Sequence, residues 1–552
     1  MKTQVPIPHG SWSAALALVA VVLLLYLPSM TSGFVWDDDD TLTANPLVHA
    51  PDGLRRIWLT TDPADYFPVH YSSLWLEWRV WKMNAAGYHV TNVLLHAGIC
   101  VLLWRIFLRM NVRGAWFAAL LFAIHPVNVE SVTWITQRKN LLGMLFGCAA
   151  ALSYLRCRQV EDGGRSHTGY YVLALAAFAL SLLSKPIFAT LPVLMLIWEV
   201  AREERPRTIR SLTGHGLRSL PFFVLSLGLS LVTIWYQYNR AISEIVVRED
   251  TFPARLALAG RAVWFYLGKA FLPFNLTFIY PRWEADTGRA ATWLPLVLLI
   301  VVFAALLPVG RRGRLVAMLL ASYVLLLLPV LGFFNIYFMA YSLVADHWQY
   351  AALPIPLAGA IALVAGSPKS NRSRLFTQGA AAGVAFVLLA LTLSAQQKYR
   401  DSETLWKDTL KRNPAAWIAH NNLAGVYSSR GDPQRTEYHL REALRLQPDQ
   451  ADPWLNLGMI LLQSGRIEEA ETSLQRGLDL KPDAVMGLNN MGVILFRRGE
   501  FEAAANLFRR AIEIDPDYAH SHESLAKVLD HLGRKDEAEQ HFETARRLHN
   551  RR

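Results

Sequence analysis

Cysteine is nearly absent: three in 552 residues, Cys100, Cys148 and Cys157, each inside or at the end of an apolar run. Thiols in such places pack as small apolar groups, so neither a disulfide framework nor a cysteine metal centre is expected. Charge is also scarce, at 18% of residues and gathered in short blocks, against 53% hydrophobic residues. That balance excludes a soluble multidomain protein of this size. Glycine-rich phosphate loops of the P-loop or Rossmann type are missing, and no base-reading motif accompanies the net charge of +11. A soluble nucleotide sugar and nucleic acid are therefore not expected as partners.

What the chain has instead is a succession of apolar runs, near residues 12–30, 91–108, 115–125, 141–156, 170–184, 187–200, 219–236, 292–309, 315–332, 350–366 and 376–395. Several are short and need tilt or neighbours to cross a bilayer, which gives about eleven expected spans. The first run lacks a small-residue cleavage site before a soluble segment and is expected to be a retained helix. Lys and Arg fall in alternate loops: Arg105, Arg109 and Arg113; Arg156, Arg158 and Arg165; the 202–218 block; Arg311, Arg312 and Arg314; Lys369, Arg372 and Arg374. Those loops are expected to be cytoplasmic, so topology rather than nucleic acid accounts for the positive charge. A span at 261–280 would move Arg311 outside, so that segment is expected to be re-entrant or interfacial. The first loop and the C-terminal tail then both face outward.

Just past the first run stands Trp36-Asp37-Asp38-Asp39-Asp40. A carboxylate cluster at a membrane surface is costly unless it meets a metal, a cation or a substrate, so it reads as a site; the alternative is a solvated loop with a capping aspartate. Tyr66-Phe67-Pro68-Val69-His70 then leads into Trp75, Trp78 and Trp81, spaced for a helix in the headgroup layer. His89, Asn92 and His96 share a helix face, where His96 suits a polar seam between helices and His89 suits either a seam or a ligand. The next outward loop carries His125, Glu130, Arg138 and Lys139. An arginine fork and a compact lysine charge suit an anionic lipid phosphate, with His125 and Glu130 fixing their orientation. The alternative is a positive flank closing the next helix. Lys185 interrupts two apolar runs on the face where positive charge is scarce, as a phosphate partner or as a snorkelling side chain. Asp346 and His347 are further outward candidates.

After about Gln396 the composition turns polar and one spacing dominates. Pro414, Pro448, Pro482 and Pro516 are 34 residues apart, as are Gly431, Gly465, Gly499 and Gly533, and Ala470, Ala504 and Ala538 keep the step. This is the tetratricopeptide signature, over about 415–548. Leu455, Leu457, Leu474 and Leu478 are expected to pack between neighbouring helix pairs, since one pair cannot bury its apolar face alone. Asn421, Asn422, Asn456, Asn489 and Asn490 would line the groove, either binding a peptide backbone or capping helices.

Together these residues resemble the transmembrane and tetratricopeptide-repeat O-mannosyltransferases, within the multispanning GT-C glycosyltransferases that use lipid-linked sugars. The resemblance rests on the acidic cluster, on Gly87-Tyr88-His89 with Asn92 and His96, and on His125-Pro126 with Glu130, Val132 and Arg138. Lys185, Leu272-Pro273-Phe274-Asn275-Leu276 and the repeat tail add to it. It implies an all-α protein: a polytopic GT-C helix bundle over 1–395, a linker helix over 396–414 and a repeat superhelix over 415–552. By the same resemblance an aspartate of the first external loop, Asp37 or Asp38, acts on the acceptor. Asn128 stands where the family often has a second histidine, Asn140 where an acid often follows the arginine, and His347 where an arginine is common.

The implied reaction moves a hexose, mannose by inheritance, from a polyprenyl or dolichyl phosphate to Ser or Thr hydroxyls of proteins. It needs a base and a positive field for the leaving phosphate. Asp37 or Asp38 would supply the base, and Arg138, Lys139, Lys185 and His125 the field. Glu130, His89, Asp346 and His347 would support them, while Asn422, Asn456 and Asn490 would bind the acceptor. No metal ligand is assigned and metal independence is favoured, although four carboxylates are also a donor set for a divalent cation. The expected partners are the bilayer, the lipid-linked sugar and a protein held by the repeats. A bacterial inner membrane with periplasmic repeats is expected, or the endoplasmic reticulum with lumenal repeats. Two other classes compete: a membrane-anchored repeat scaffold without catalysis, and a transporter of lipid-linked saccharide.

Overall fold

The computed structural model describes residues 11–162, 164, 167–202, 209–242, 247–365 and 371–549. Arg165, residues 203–208 of the 202–218 block and Lys369 lie outside them. The described residues are helical, with no strand among them, and fall into two compact units, Met1–Asp408 and Thr409–Arg552. The boundary falls within the helix Ser402–Arg412.

In the first unit, five helical segments are long and apolar enough to cross a membrane: Ala85–Arg109, Ile135–Glu161, Thr213–Ile242, Gly310–Val330 and Leu375–Tyr399. Two bent pairs raise the number to seven, and Trp12–Leu25, Ala290–Leu306 and Pro354–Val364 are shorter apolar helices. Of the eleven expected runs, 170–184 and 187–200 form one pair bent by 118°, and 12–30, 292–309 and 350–366 fall on the three shorter helices, so up to seven spans meet the length and composition of a crossing among the described residues. The bend has a local cause. A proline disfavours helical dihedrals in the residue before it, and Lys185, preceding Pro186, is extended at φ −171°, ψ 134°. His125 before Pro126 is likewise extended and begins the milder 49° bend between Ala115–Ala123 and Pro126–Thr133. The expected interfacial segment is the end of the helix Phe252–Phe271 and the irregular chain after it.

Burial separates the inner from the outer helices. Of the most apolar stretch of Ile135–Glu161, 72% is buried in the protein, against 11% for Leu375–Tyr399. The first is the centre of the bundle and the second presents its apolar side chains to lipid. The expected histidine seam is present: His96 bonds the Tyr350 hydroxyl through Nδ1 at 2.7 Å and the Ala123 carbonyl through Nε2 at 3.2 Å. The three cysteines are buried and free. Of the three tryptophans expected at the headgroups, Trp75 donates to the Ala50 carbonyl at 2.9 Å and Trp78 stacks on His49 at 3.9 Å, so both also fix the outer short helices.

The second unit contains four helix pairs: Trp417–Ser429 with Pro433–Leu446, Ala451–Gln463 with Ile467–Leu480, Val485–Arg497 with Phe501–Ile514, and Ala519–His531 with Lys535–His549. Each inter-helix turn needs a left-handed residue, supplied by Gly431, Gly465, Gly499 and Gly533 at φ 71–84°. Leu455, Leu457 and Leu474 are buried between pairs, and Leu478 packs partly buried beside them.

Candidate active site

Trp36 carries the strain that builds the site. Its φ of +48° is rare for a bulky residue and costs about 1–3 kcal/mol unless its surroundings enforce it. Its ring stacks on Trp134 at 5.4 Å and meets Phe278, Phe338, Tyr341 and Trp406 edge-on at 5.2–5.9 Å. This aromatic cage turns the chain so that Asp37 and Asp38 point in different directions.

Asp37 lines a cavity of about 1040 Å³ together with Asp40, Asp65, His70, Lys139 and Lys185. Its Oδ1 is buried without a hydrogen-bond partner. Burial pushes its pKa up to about 6, while the Lys139 ammonium pulls in the opposite direction. Asp38 lies off the cavity and fully buried. It accepts from the Thr136 amide and hydroxyl at 2.9 and 2.7 Å and from the Val35 amide at 2.9 Å. Burial, then the neighbouring Asp37 charge, push it up to about 7. Asp39 accepts from the Thr43 hydroxyl at 2.9 Å. The four carboxylates therefore diverge rather than share one point. Among the described residues, the His, Cys, Asp and Glu side chains close enough together to hold a cation are His520, Glu523 and His549 of the repeat unit.

Of the expected phosphate partners, Lys139 and Lys185 line the cavity and two residues do not. Arg138 is spent elsewhere: it is ion-paired to Glu77, and it donates to Asn92 Oδ1 at 2.9 Å and to the Tyr88 carbonyl at 2.8 Å. A buried guanidinium keeps such partners because losing one strands a charge. His125 is turned to the Ala270 carbonyl at 3.1 Å. Lys139 stands in the first turn of the helix Arg138–Asp162, where the helix end is itself positive, so the locality favours an anion. Lys185 reaches the same cavity from the 118° bend.

His347 also lines the cavity. Glu130 holds it, through Nδ1 at 2.7 Å and the backbone amide at 3.3 Å. Burial, then the Lys185 and Lys139 charges, keep its imidazole neutral, with Nδ1 shared with Glu130, whose own carboxyl pKa is raised by burial. Asp346 accepts from the Tyr280 hydroxyl at 2.8 Å and His89 is buried on its own helix; both lie outside the lining. Leu227, Leu231 and Ile234, with Leu326 and Val330, give the cavity an apolar wall from two of the long apolar segments. Asp65 and His70 were not singled out from the sequence. The signal was Pro68, which starts a helix and fixes His70 in its first turn.

In the repeat unit Asn456 donates to Asn421 across two repeats at 3.3 Å, and Ser521 donates to Asn489 at 3.3 Å. Asn422 returns to its own helix, donating to the Ile418 carbonyl at 2.8 Å, and the Asn490 amide is buried without a partner.

A helical membrane unit with an acid and cations on a lipid-side cavity, followed by helical repeats, defines a class: polytopic proteins with a tetratricopeptide tail. Residues 65–236 match the family described as Dolichyl-phosphate-mannose-protein mannosyltransferase, and tetratricopeptide repeat families match 387–435, 427–487 and 483–551. The human protein O-mannosyl-transferase TMTC3 is 24% identical over 494 residues, covering 80% of this chain and 52% of that protein. Human protein O-mannosyl-transferase TMTC4 is 24% identical over 486 residues, covering 76% of this chain and 64% of that protein. A crystal structure of MamA covers 27% of this chain and 81% of its own, at 21% identity and a TM-score of 0.24. The chain spans about half the length of the first of these curated relatives. The chain thus joins a segment that matches a mannosyltransferase family to segments that match tetratricopeptide repeats, and it is similar over about 80% of its length to a protein O-mannosyl-transferase.

Proposed function

We propose that the chain is a membrane glycosyltransferase that moves a hexose, mannose by analogy with its relatives, from a polyprenyl or dolichyl phosphate to Ser or Thr hydroxyls of proteins. The observation that carries this reading is the meeting of Asp37, Lys139, Lys185 and an apolar wall on one cavity. Asp37 takes the acceptor hydroxyl proton as the oxygen attacks the sugar's anomeric carbon, and the bond to the phosphate oxygen breaks. Lys139 and Lys185 hold the phosphate that leaves, inside a partly apolar cavity where charge is weakly screened. The prenyl chain lies along the leucine wall. Asp38 acts through the backbone, holding the loop in place for Asp37. The site faces the extracytoplasmic side, which is the periplasm of a bacterium or the lumen of the endoplasmic reticulum, and the repeats present the acceptor.

Isolated membranes carrying the native chain, given labelled polyprenyl-phosphate mannose and exported proteins, are expected to label protein. Asp37→Asn, inserted to the same level, is expected to lose on the order of 10²–10⁴-fold in rate. Full activity in Asp37→Asn would remove it as the base, and no label from any lipid-linked hexose would remove the enzyme reading.

A further inference from the structure

His70 stands apart from the residues used so far. It lies in the first turn of Pro68–Trp81, is 1% exposed, and lines the cavity beside Asp65, Lys139 and Lys185. Neither ring nitrogen has a hydrogen-bond partner, although both are buried. A buried polar group left unsatisfied carries its whole desolvation cost, so such a group facing a cavity marks where a ligand or its water binds.

The chemistry of the neighbours narrows the ligand. Burial, then the charges of Lys139, Arg138 and Lys185, hold the imidazole in its neutral form. A neutral imidazole offers one donor and one acceptor, whereas the free oxygens of a phosphodiester beside two lysines only accept. A hydroxyl both donates and accepts. Asp65, which accepts from the Gln237 side-chain amide, adds a carboxylate to the same stretch of cavity, and carboxylates accept from hydroxyls. The lysines therefore suit the phosphate and His70 with Asp65 suits the group attached to it. In a hexose carried on a lipid phosphate, ring hydroxyls lie within a few bonds of that phosphate.

We propose that His70 and Asp65 form a hydroxyl-binding subsite for the hexose of the lipid-linked donor, and so contribute to which sugar is accepted. This rests on the glycosyltransferase reading above and names the residues that read the sugar rather than its phosphate. The step Phe67-Pro68 lies between them and starts the helix that carries His70 in its first turn, with Asp65 three residues before that helix.

The test is binding without turnover. Trp36 and Trp134 line the cavity, so the tryptophan fluorescence of the purified full chain reports its occupancy. Wild type, His70→Ala and Asp65→Asn are titrated with polyprenyl-phosphate mannose and with bare polyprenyl phosphate. His70→Ala is expected to bind the sugar-bearing lipid about tenfold more weakly, the worth of one lost hydrogen bond, and the bare lipid as wild type does. His70→Gln, which keeps a donor and an acceptor, is expected to recover most of the loss. Equal weakening toward both lipids, or none toward either, overturns the subsite. Should His70→Ala fail to fold, Asp65→Asn decides on the same two lipids. Wild type that binds bare lipid but gains nothing from the sugar overturns the subsite alone, whereas wild type that binds neither lipid removes the functional reading with it.

Discussion

Asp37 and Asp38 are adjacent in sequence and differ in what surrounds them. Asp38 is saturated by three hydrogen bonds, while Asp37 keeps an unpartnered oxygen on the cavity. Both carboxyls are raised by burial, to about 6 and about 7. A base must be ionised, so transfer is expected to rise with pH through about 6 and to fall about tenfold per unit below it. Stability runs the other way. Between the ordinary aspartate range and these raised values each of the two carboxyls binds more protons in the folded protein than in the unfolded chain, so the contribution of this pair to stability is greatest in acid and declines as pH rises from about 4 to 7, whereas the buried neutral His70 and His347 contribute the opposite slope below about 6.5. The rate, and the thermal-stability difference between wild type and Asp37→Asn, measured across pH 5–7, are therefore expected to have opposite slopes; parallel slopes would contradict the assignment. The acidic cluster was legible as a candidate because four carboxylates at a membrane need a reason, and Asp37 and Asp40 do line the cavity. The role of Arg138 was not, because its partner Glu77 lies 61 residues earlier and no local pattern pairs them. Lys139, one position on, does line the cavity.

At the scale of elements, prolines explain the bends that hydropathy alone does not show. Two apolar runs counted as separate spans are one bent element whose corner delivers Lys185, and the corner needs room. Glycines on the central helix give it: a Cβ on Gly147 would lie 2.3 Å from the Phe188 ring, and one on Gly143 would lie 3.2 Å from the Lys185 carbonyl. The Phe188 side chain is buried, so it cannot swing aside freely. Gly147→Ala is expected to cost about 1–3 kcal/mol of stability through overpacking and to weaken donor binding by displacing Lys185. Gly228→Ala, where nothing lies within 4 Å of the added carbon, is the control and is expected to be neutral or slightly stabilising. Thermal unfolding with donor titration checks both; an unaffected Gly147→Ala would mean that the corner tolerates movement. The bend was readable in Ser184-Lys185-Pro186, since the residue before proline leaves the helical region. Its 118° angle was not, since packing against the glycine face sets it.

For the molecule as a whole, the repeat tail was the more legible half, because a 34-residue period fixes turns, small contacts and helix pairs at once. The candidate site of the membrane unit comes together only on folding, since the cavity draws on residues from 36 to 351. If the two units divide the work, with donor chemistry in one and acceptor capture in the other, their losses should separate. Asn456 already bridges two repeats, whereas the buried Asn490 amide has no partner and is available to a peptide carbonyl. Asn456→Ala with Asn490→Ala is therefore expected to lower labelling of exported proteins at limiting acceptor, by roughly 5–30-fold if each loses one hydrogen bond of about 1 kcal/mol. Donor binding, read by fluorescence, should stay at the wild-type value. A raised acceptor KM with unchanged kcat is the signature of lost uniform binding. Labelling and donor binding falling together would show instead that the asparagines support the fold, returning them to the helix-satisfying role that Asn422 already plays.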